Sequence, residues 1–557
     1  MSTPLFKRLL TRLRGPAKDS LTREFIHFHQ RKWPTHPRTD KVVLVGLFSW
    51  RPSMCAYSYA VNHFARRNGA QIEAYSFSRR VDPVVEAIYR SFGASLTLRW
   101  SSTVHHEPLA RELAAQAFGG LKSKDDIFRI GFGGVVLGDL IYDSYLRYFY
   151  EPTVRMEDAR LLETIETTFR IAMACEEYFT CHRVKTLLPF DAPYIESGVV
   201  HRFAIRHGVP IYALEYQPFT LHSMDTEMRP GDPADRRNWP SKIPLYRLSP
   251  QVFDGLSCER QQHALQTARA ALAERFSGQM AAKIQASYVA PTTAQMNTFG
   301  APSEETLFPV NDRKRMLVLL HDFCDAPNIY RWALFPDFDE WTAFLFAHAA
   351  ETDFDWYAKP HPNIHYDRRM NDANDRIIAQ IKQRYPHIHF LCPSVSNRQI
   401  LAEGIDAVFT VYGTCGHEFA YHGVPVINAG DNPHIEYNFN FNPCTHEEYK
   451  RLILGADRLQ IDIDRRDIEK FYYTYHFHPY ELSSGVSILP DVWMKLPNLP
   501  HLESSTEVFR YFMENDSPER DRRVADYIDA FMAAQAHAPL PFVPAQPQVH
   551  SPPICKL

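Results

Sequence analysis

At roughly 150 residues per domain, 557 residues leave room for about two to four domains. Apolar residues make up 45% and charged residues 23%, as in a globular chain with a sizeable core. The 61 basic and 65 acidic residues sum to −4, which excludes a nucleic-acid binder that relies on a basic surface. With 40 prolines, 23 glycines and 13% aromatics, the chain is structured and well punctuated, not low in complexity.

Residues 1–38 read apart from the rest. Leu5, Phe6, Leu9, Leu10 and Leu13 recur at helical spacing, with Lys7, Arg8, Arg12 and Arg14 on the other side. Such a basic amphipathic helix can dock on its own domain or, through residues 1–15, lie on an anionic membrane surface. From Lys41 the pattern alternates. Strands are predicted at Lys41–Phe48, Gln71–Phe77, Ala94–Leu98, Val184–Pro189 and Pro210–Leu214, with helices at Ser53–Asn68, Asp82–Phe92 and Tyr194–His207. The alanine- and glutamine-rich stretch 250–290 reads as a helical connector. A second series has strands at Arg315–His321, Phe354–Lys359, His387–Leu391, Ala407–Val411 and Pro425–Asn428. Helices fall between them near Trp341–Ala350, Ala373–Arg384 and Asn397–Gly404.

This alternation predicts an α/β protein with two Rossmann-like domains facing across a cleft, each built on a parallel sheet. The expected division is an acceptor domain at 39–250, a connector at 251–310, a nucleotide-sugar-binding domain at 311–500 and terminal helices at 501–537. A proline-rich disordered tail is expected at 538–557.

Nine scattered cysteines with no CxxC pair suit a reducing compartment. No apolar run reaches the roughly 18 residues of a membrane span, and the N-terminus lacks the apolar core of a signal peptide. The expected location is cytoplasmic, with the inner membrane face as an option.

In open parallel sheets ligands bind beyond the carboxyl ends of the strands, so residues just after strands are the candidates. In Val408–Ala429 a strand leads into Tyr412-Gly413-Thr414-Cys415-Gly416 and a short helix. There the glycines and Thr414 suit phosphate, and Glu418 suits ribose hydroxyls. In Trp356–Asn363 the strand ends at Lys359, and Pro360 and Pro362 hold His361, which can donate to a leaving phosphate. Asn363 follows it. His321, Asp322 and Asp325 follow another strand. Ser394 and Ser396 either contact phosphate or cap the helix at Asn397.

In the first half Asp139, Asp143 and Arg147 recur at i, i+4 and i+8 on one predicted helix face. A partly buried acid pair there can supply a general base for an acceptor hydroxyl. Glu215 is the other acidic candidate, ahead of Gln217-Pro218. Histidine pairs at 27/29, 387/389 and 476/478 have no third ligand placed by the sequence, and Asp462 and Asp464 precede a helix as capping residues do. No metal site and no cofactor is expected.

KPHPN at 359–363 and YGTCGHEFAYHGVPVIN at 412–428, supported by LHDFCDAP at 320–327 and GDLIYDSYLR at 138–147, resemble the capsular and surface polysaccharide synthesis proteins. His361-Pro362 is similar to the HP motif of bacterial sialyltransferases and Kdo transferases, and Gln217-Pro218 to a QP element of capsule Kdo transferases. The resemblance implies a GT-B glycosyltransferase with the nucleotide-sugar held mainly by the second domain. His361 would contact the donor phosphate, with Thr414 and Glu418 nearby. The implied partners are a CMP- or UDP-linked sugar donor and a glycan or lipid-linked acceptor, with no nucleic acid. A CDP-glycerol-type polymer phosphotransferase, a UDP-sugar 2-epimerase and a non-catalytic capsule-assembly scaffold are the alternatives.

Overall fold

The computed structural model describes residues 19–33, 36, 38–189, 193–216, 219–223, 247, 249–277, 299, 302–330, 332–361, 368–478, 488–489 and 505–537. The basic segment 1–15, the QP pair, Pro362, Asn363 and the tail from 538 lie outside these. In the first domain the main elements are α1 (Ser20–Lys32), β1 (Lys41–Gly46), α2 (Arg51–Asn68), β2 (Gln71–Ser76), α3 (Pro83–Ser91) and β3 (Ala94–Arg99). They continue with α4 (Glu107–Gly120), α5 (Gly138–Phe149), α6 (Ala159–Cys181), β4 (Arg183–Leu188), α7 (Ile195–Arg206) and β5 (Tyr212–Tyr216). The sheet runs β3-β2-β1-β4, all parallel, and Ile211 just before β5 adds a parallel bridge to Leu187.

α8 (Cys258–Phe276) leads to the second domain. Its elements are β6 (Arg315–Leu319), α9 (Phe338–Ala349), β7 (Asp355–Lys359), α10 (Arg368–Arg384), β8 (Ile388–Phe390), α11 (Asn397–Glu403), β9 (Ala407–Thr410), α12 (Cys415–Tyr421), β10 (Val426–Asn428), α13 (His446–Leu454) and α14 (Arg465–His476). This sheet runs β8-β7-β6-β9-β10, again all parallel.

Both sheets place their first strand centrally, so each has a switch point between its first and fourth strands. The residues explain why. Val42 to Val45 are all fully buried; Val42 and Leu44 pack with Tyr142 and Phe203 on one face, and Val43 and Val45 with Phe64 and Ile88 on the other. A continuous apolar run of this kind is stable only in a sheet covered on both faces. Each such side chain contributes roughly 1.5–3 kcal/mol by leaving water. Met316 and Val318 against Leu317 repeat the pattern in β6.

The connector helix α8 packs on α14, where Tyr472 and Tyr473 join its alanine face. The last helices, α15 (Glu507–Glu514) and α16 (Pro518–His537), return to the first domain. There Phe509 stacks on Phe25 at 3.9 Å, and Lys32 pairs with Asp516 and Asp521 at 2.7 and 2.6 Å. The carboxyl ends of the two sheets meet through Asn328 and Asp143 (2.7 Å) and Tyr194 and Asp325 (2.8 Å), and Asp337 accepts from both Tyr142 and Thr153. Among the described residues no helix is long and apolar enough to cross a membrane.

Candidate functional site

His321 occupies the switch point of the second sheet, two residues past β6. Its ring stacks on Phe338 at 4.6 Å and rests against Tyr412 at 4.5 Å. Nε2 lies 3.1 Å from Thr410 Oγ1 and accepts the Val411 amide at 3.3 Å. An accepting Nε2 leaves the proton on Nδ1. Burial, helped by the neighbouring His361 and opposed by Asp322, pushes its pKa down to about 3. His321 is therefore a neutral, fixed donor that joins the loops after β6 and β9.

Beside it, Lys359 closes β7 with a buried side chain whose Nζ donates to Asn397 Oδ1 at 2.7 Å. Burial lowers its pKa to about 8, opposed by Glu418 and Cys415. Glu418 is 2% exposed and is bound by Arg275 from α8, with Nε at 2.7 Å and Nη2 on the same oxygen. Arg275 and Lys359 thus both face the buried Glu418 carboxylate. The half-buried His361 stands two residues after Lys359 in the chain and close enough to His321 to depress its pKa.

The glycine corner is tighter than expected. A Cβ on Gly416 would lie 2.3 Å from Nε2 of the buried His434, and one on Gly413 2.9 Å from Cys415 Sγ. The amides of Gly416, His417 and Glu418 donate to the carbonyls of Gly413 and Thr414. An anion can therefore use at most those of Gly413, Thr414 and Cys415. One expectation changes, since Glu418 is committed to Arg275 rather than open to ribose; of the two roles expected for Ser396, it takes the cap, accepting the Arg398 amide at the start of α11. Asp464 caps α14, as expected, by accepting the Arg466 amide.

On the first-domain side, the stripe on α5 is split. Asp139 is 1% exposed and held bidentately by Arg202, both bonds 2.6 Å, while Arg202 also caps the Val136 carbonyl. That geometry makes Asp139 a structural partner of Arg202, not a base. Asp143 is fully buried and accepts from Asn328 of the other domain. Arg147 reaches Met370 on α10, with Asp325 and Asp322 as nearby carboxylates. Asp325 accepts from Tyr194. Glu215 falls in β5, and its side chain lies outside the described part of the structure.

One residue not picked from the sequence belongs with these. Glu196 lies in the first turn of α7, beyond β4 and two residues from Tyr194, which spans the cleft. Tyr148 donates to its carboxylate, and burial pushes its pKa up to about 7. The signal was available, since Glu196 follows a strand as the other candidates do.

Two parallel sheets of Rossmann order, joined by a helical connector and facing at their carboxyl ends, define an α/β fold of the GT-B type. No protein-family model and no curated protein matches the chain. Among solved structures it is similar to the Thermosulfurimonas dismutans KpsC beta Kdo 2,4 transferase, with 12% identity over 52% of this chain and 78% of that one and a TM-score of 0.30. It is also similar to a UDP-N-acetylglucosamine 2-epimerase (8%, 90% and 97%, TM-score 0.21). A third is Anabaena HepE in complex with UDP-glucose (9%, 88% and 99%, TM-score 0.24).

Proposed function

We propose that this chain is a glycosyltransferase that moves a sugar from a CMP- or UDP-linked donor to a hydroxyl of a surface polysaccharide or glycolipid, without a metal ion. One observation carries the reading: the buried Lys359 ends β7 facing the Arg275–Glu418 pair, two residues ahead of His361, which lies near His321 at the switch point of the second sheet. That is chemistry for a phosphate leaving group.

In this reading the acceptor oxygen attacks the anomeric carbon as the bond from that carbon to the donor phosphate breaks. The electron pair leaves on the phosphate oxygen, where Lys359 and His361 balance the charge and His321 and Thr414 hold the group. A carboxylate on the first-domain side takes the acceptor proton. Glu196 suits that role, because a base works best with a pKa near the working pH. Asp143 and Glu215 are the other candidates. Residues 1–15 would hold the chain near lipid-linked acceptors.

The test is nucleotide release from a panel of CMP- and UDP-sugars with and without a glycan acceptor. Release by the wild-type chain and its loss in His361→Ala are expected. Turnover that persists in His361→Ala removes that residue from the reaction, and no release from any donor overturns the reading.

A further inference from the structure

A second cluster lies away from the cleft. The 3-10 helix Trp100–His106 follows the edge strand β3 and packs on α6. Its last two residues, His105 and His106, meet Glu177 near the carboxyl end of α6. That end of α6 leads straight into the amino end of β4, so the cluster is at the opposite pole of the sheet from the cleft.

Nε2 of His105 lies 2.9 Å and Nε2 of His106 3.1 Å from the same oxygen of Glu177. All three atoms fall within 4.8 Å of one another, and the imidazole rings are 3.8 Å apart. His106 Nε2 is shielded from solvent, and Glu177 is the group it faces. Two imidazoles and a carboxylate converging on one point suit a borderline divalent ion. At bond lengths of about 2.0–2.1 Å, the two imidazole-to-carboxylate separations correspond to ligand angles of roughly 90–100° about such an ion. Three ligands then cover one side and leave the others to water. The partly exposed His105 and Glu177 keep an entry path open.

We propose that His105, His106 and Glu177 bind a divalent transition cation of the zinc class, which pins the 3-10 helix to α6. The site is structural and separate from the transfer reaction. Neither local spacing nor the histidine pairs considered from the sequence point to it, because Glu177 is 72 residues from His105.

The experiment is calorimetric titration of the tag-free, full-length, metal-stripped chain with Zn²⁺, alongside thermal unfolding with and without the ion. Wild type should bind one equivalent more than His105→Ala, His106→Ala and Glu177→Gln, or bind at that site at least tenfold more tightly. A zinc-dependent rise in unfolding temperature should disappear in the same variants. His105 is 59% exposed, so His105→Ala keeps the test valid if His106→Ala fails to fold. Equal stoichiometry, affinity and zinc-dependent stabilisation in wild type, His105→Ala and Glu177→Gln would overturn the proposal, as would no zinc binding by the wild type.

Discussion

Asn328 of the second domain donates its side-chain amide to Asp143 of the first at 2.7 Å, and both residues are buried. The bond ties the two sheets together at the ends where the candidate site lies. A hydrogen bond to a charged group contributes about 1.5–3 kcal/mol, and its removal takes one donor from a buried carboxyl group. Asn328→Ala should therefore lower the unfolding free energy by an amount in that range, read as a lower urea midpoint at unchanged slope. An unchanged midpoint would mean that the domains are held by other contacts.

Asp139 and Arg202 make the opposite case to a catalytic acid. Breaking a buried pair by removing one charge costs about 3–5 kcal/mol. Asp139→Asn should thus destabilise the chain strongly, while transfer activity per folded molecule stays near wild type. A stable Asp139→Asn variant without activity would restore Asp139 as a base.

Glu196 yields a pH signature. Its carboxyl titrates near 7 in the folded chain against an ordinary 4.5, so the folded state keeps a proton that the unfolded state releases between those values. This burial lowers stability as pH rises through the window, whereas a base is active only once deprotonated. Transfer rates should climb to a plateau above about pH 7 and collapse at every pH in Glu196→Gln. Full activity in Glu196→Gln, with the same pH profile, would leave Asp143 or Glu215 as the base.

Gly416 is where backbone comes closest to a neighbouring ring. Its missing Cβ clears His434 Nε2, whose ring is buried and bonded to Asn440. Overpacking of this sort costs about 1–3 kcal/mol. Gly416→Ala should show that loss in chemical unfolding and shift the corner that carries Thr414, while Gly423→Ala, with open space around it, should cost only the strain of its positive φ. Equal effects of the two would argue against a packed corner.

The architecture was legible because short continuous apolar runs such as Val42–Val45 and Met316–Val318 alternate along the chain with helical stretches, as in a parallel sheet covered on both faces. The loops after them also stood out, and His321, Lys359 and His361 are found together. What stayed hidden is long-range charge pairing. Arg202 reaches Asp139 across 63 residues, and Arg275 reaches Glu418 across 143. Nothing local marks either arginine as the partner, so acids that look available in the sequence are occupied in the fold. The docking of α15 and α16 on α1 is hidden for the same reason.

The central claim is that Lys359 and His361 receive the phosphate of a sugar nucleotide. Calorimetric binding of CMP, UMP and UDP to wild type, Lys359→Met and His361→Ala tests it most directly. At least one nucleotide should bind the wild type, and each variant should weaken it tenfold or more, about 1.4 kcal/mol. Nucleotide binding that is equally tight in all three proteins, or absent from the wild type, would contradict the account.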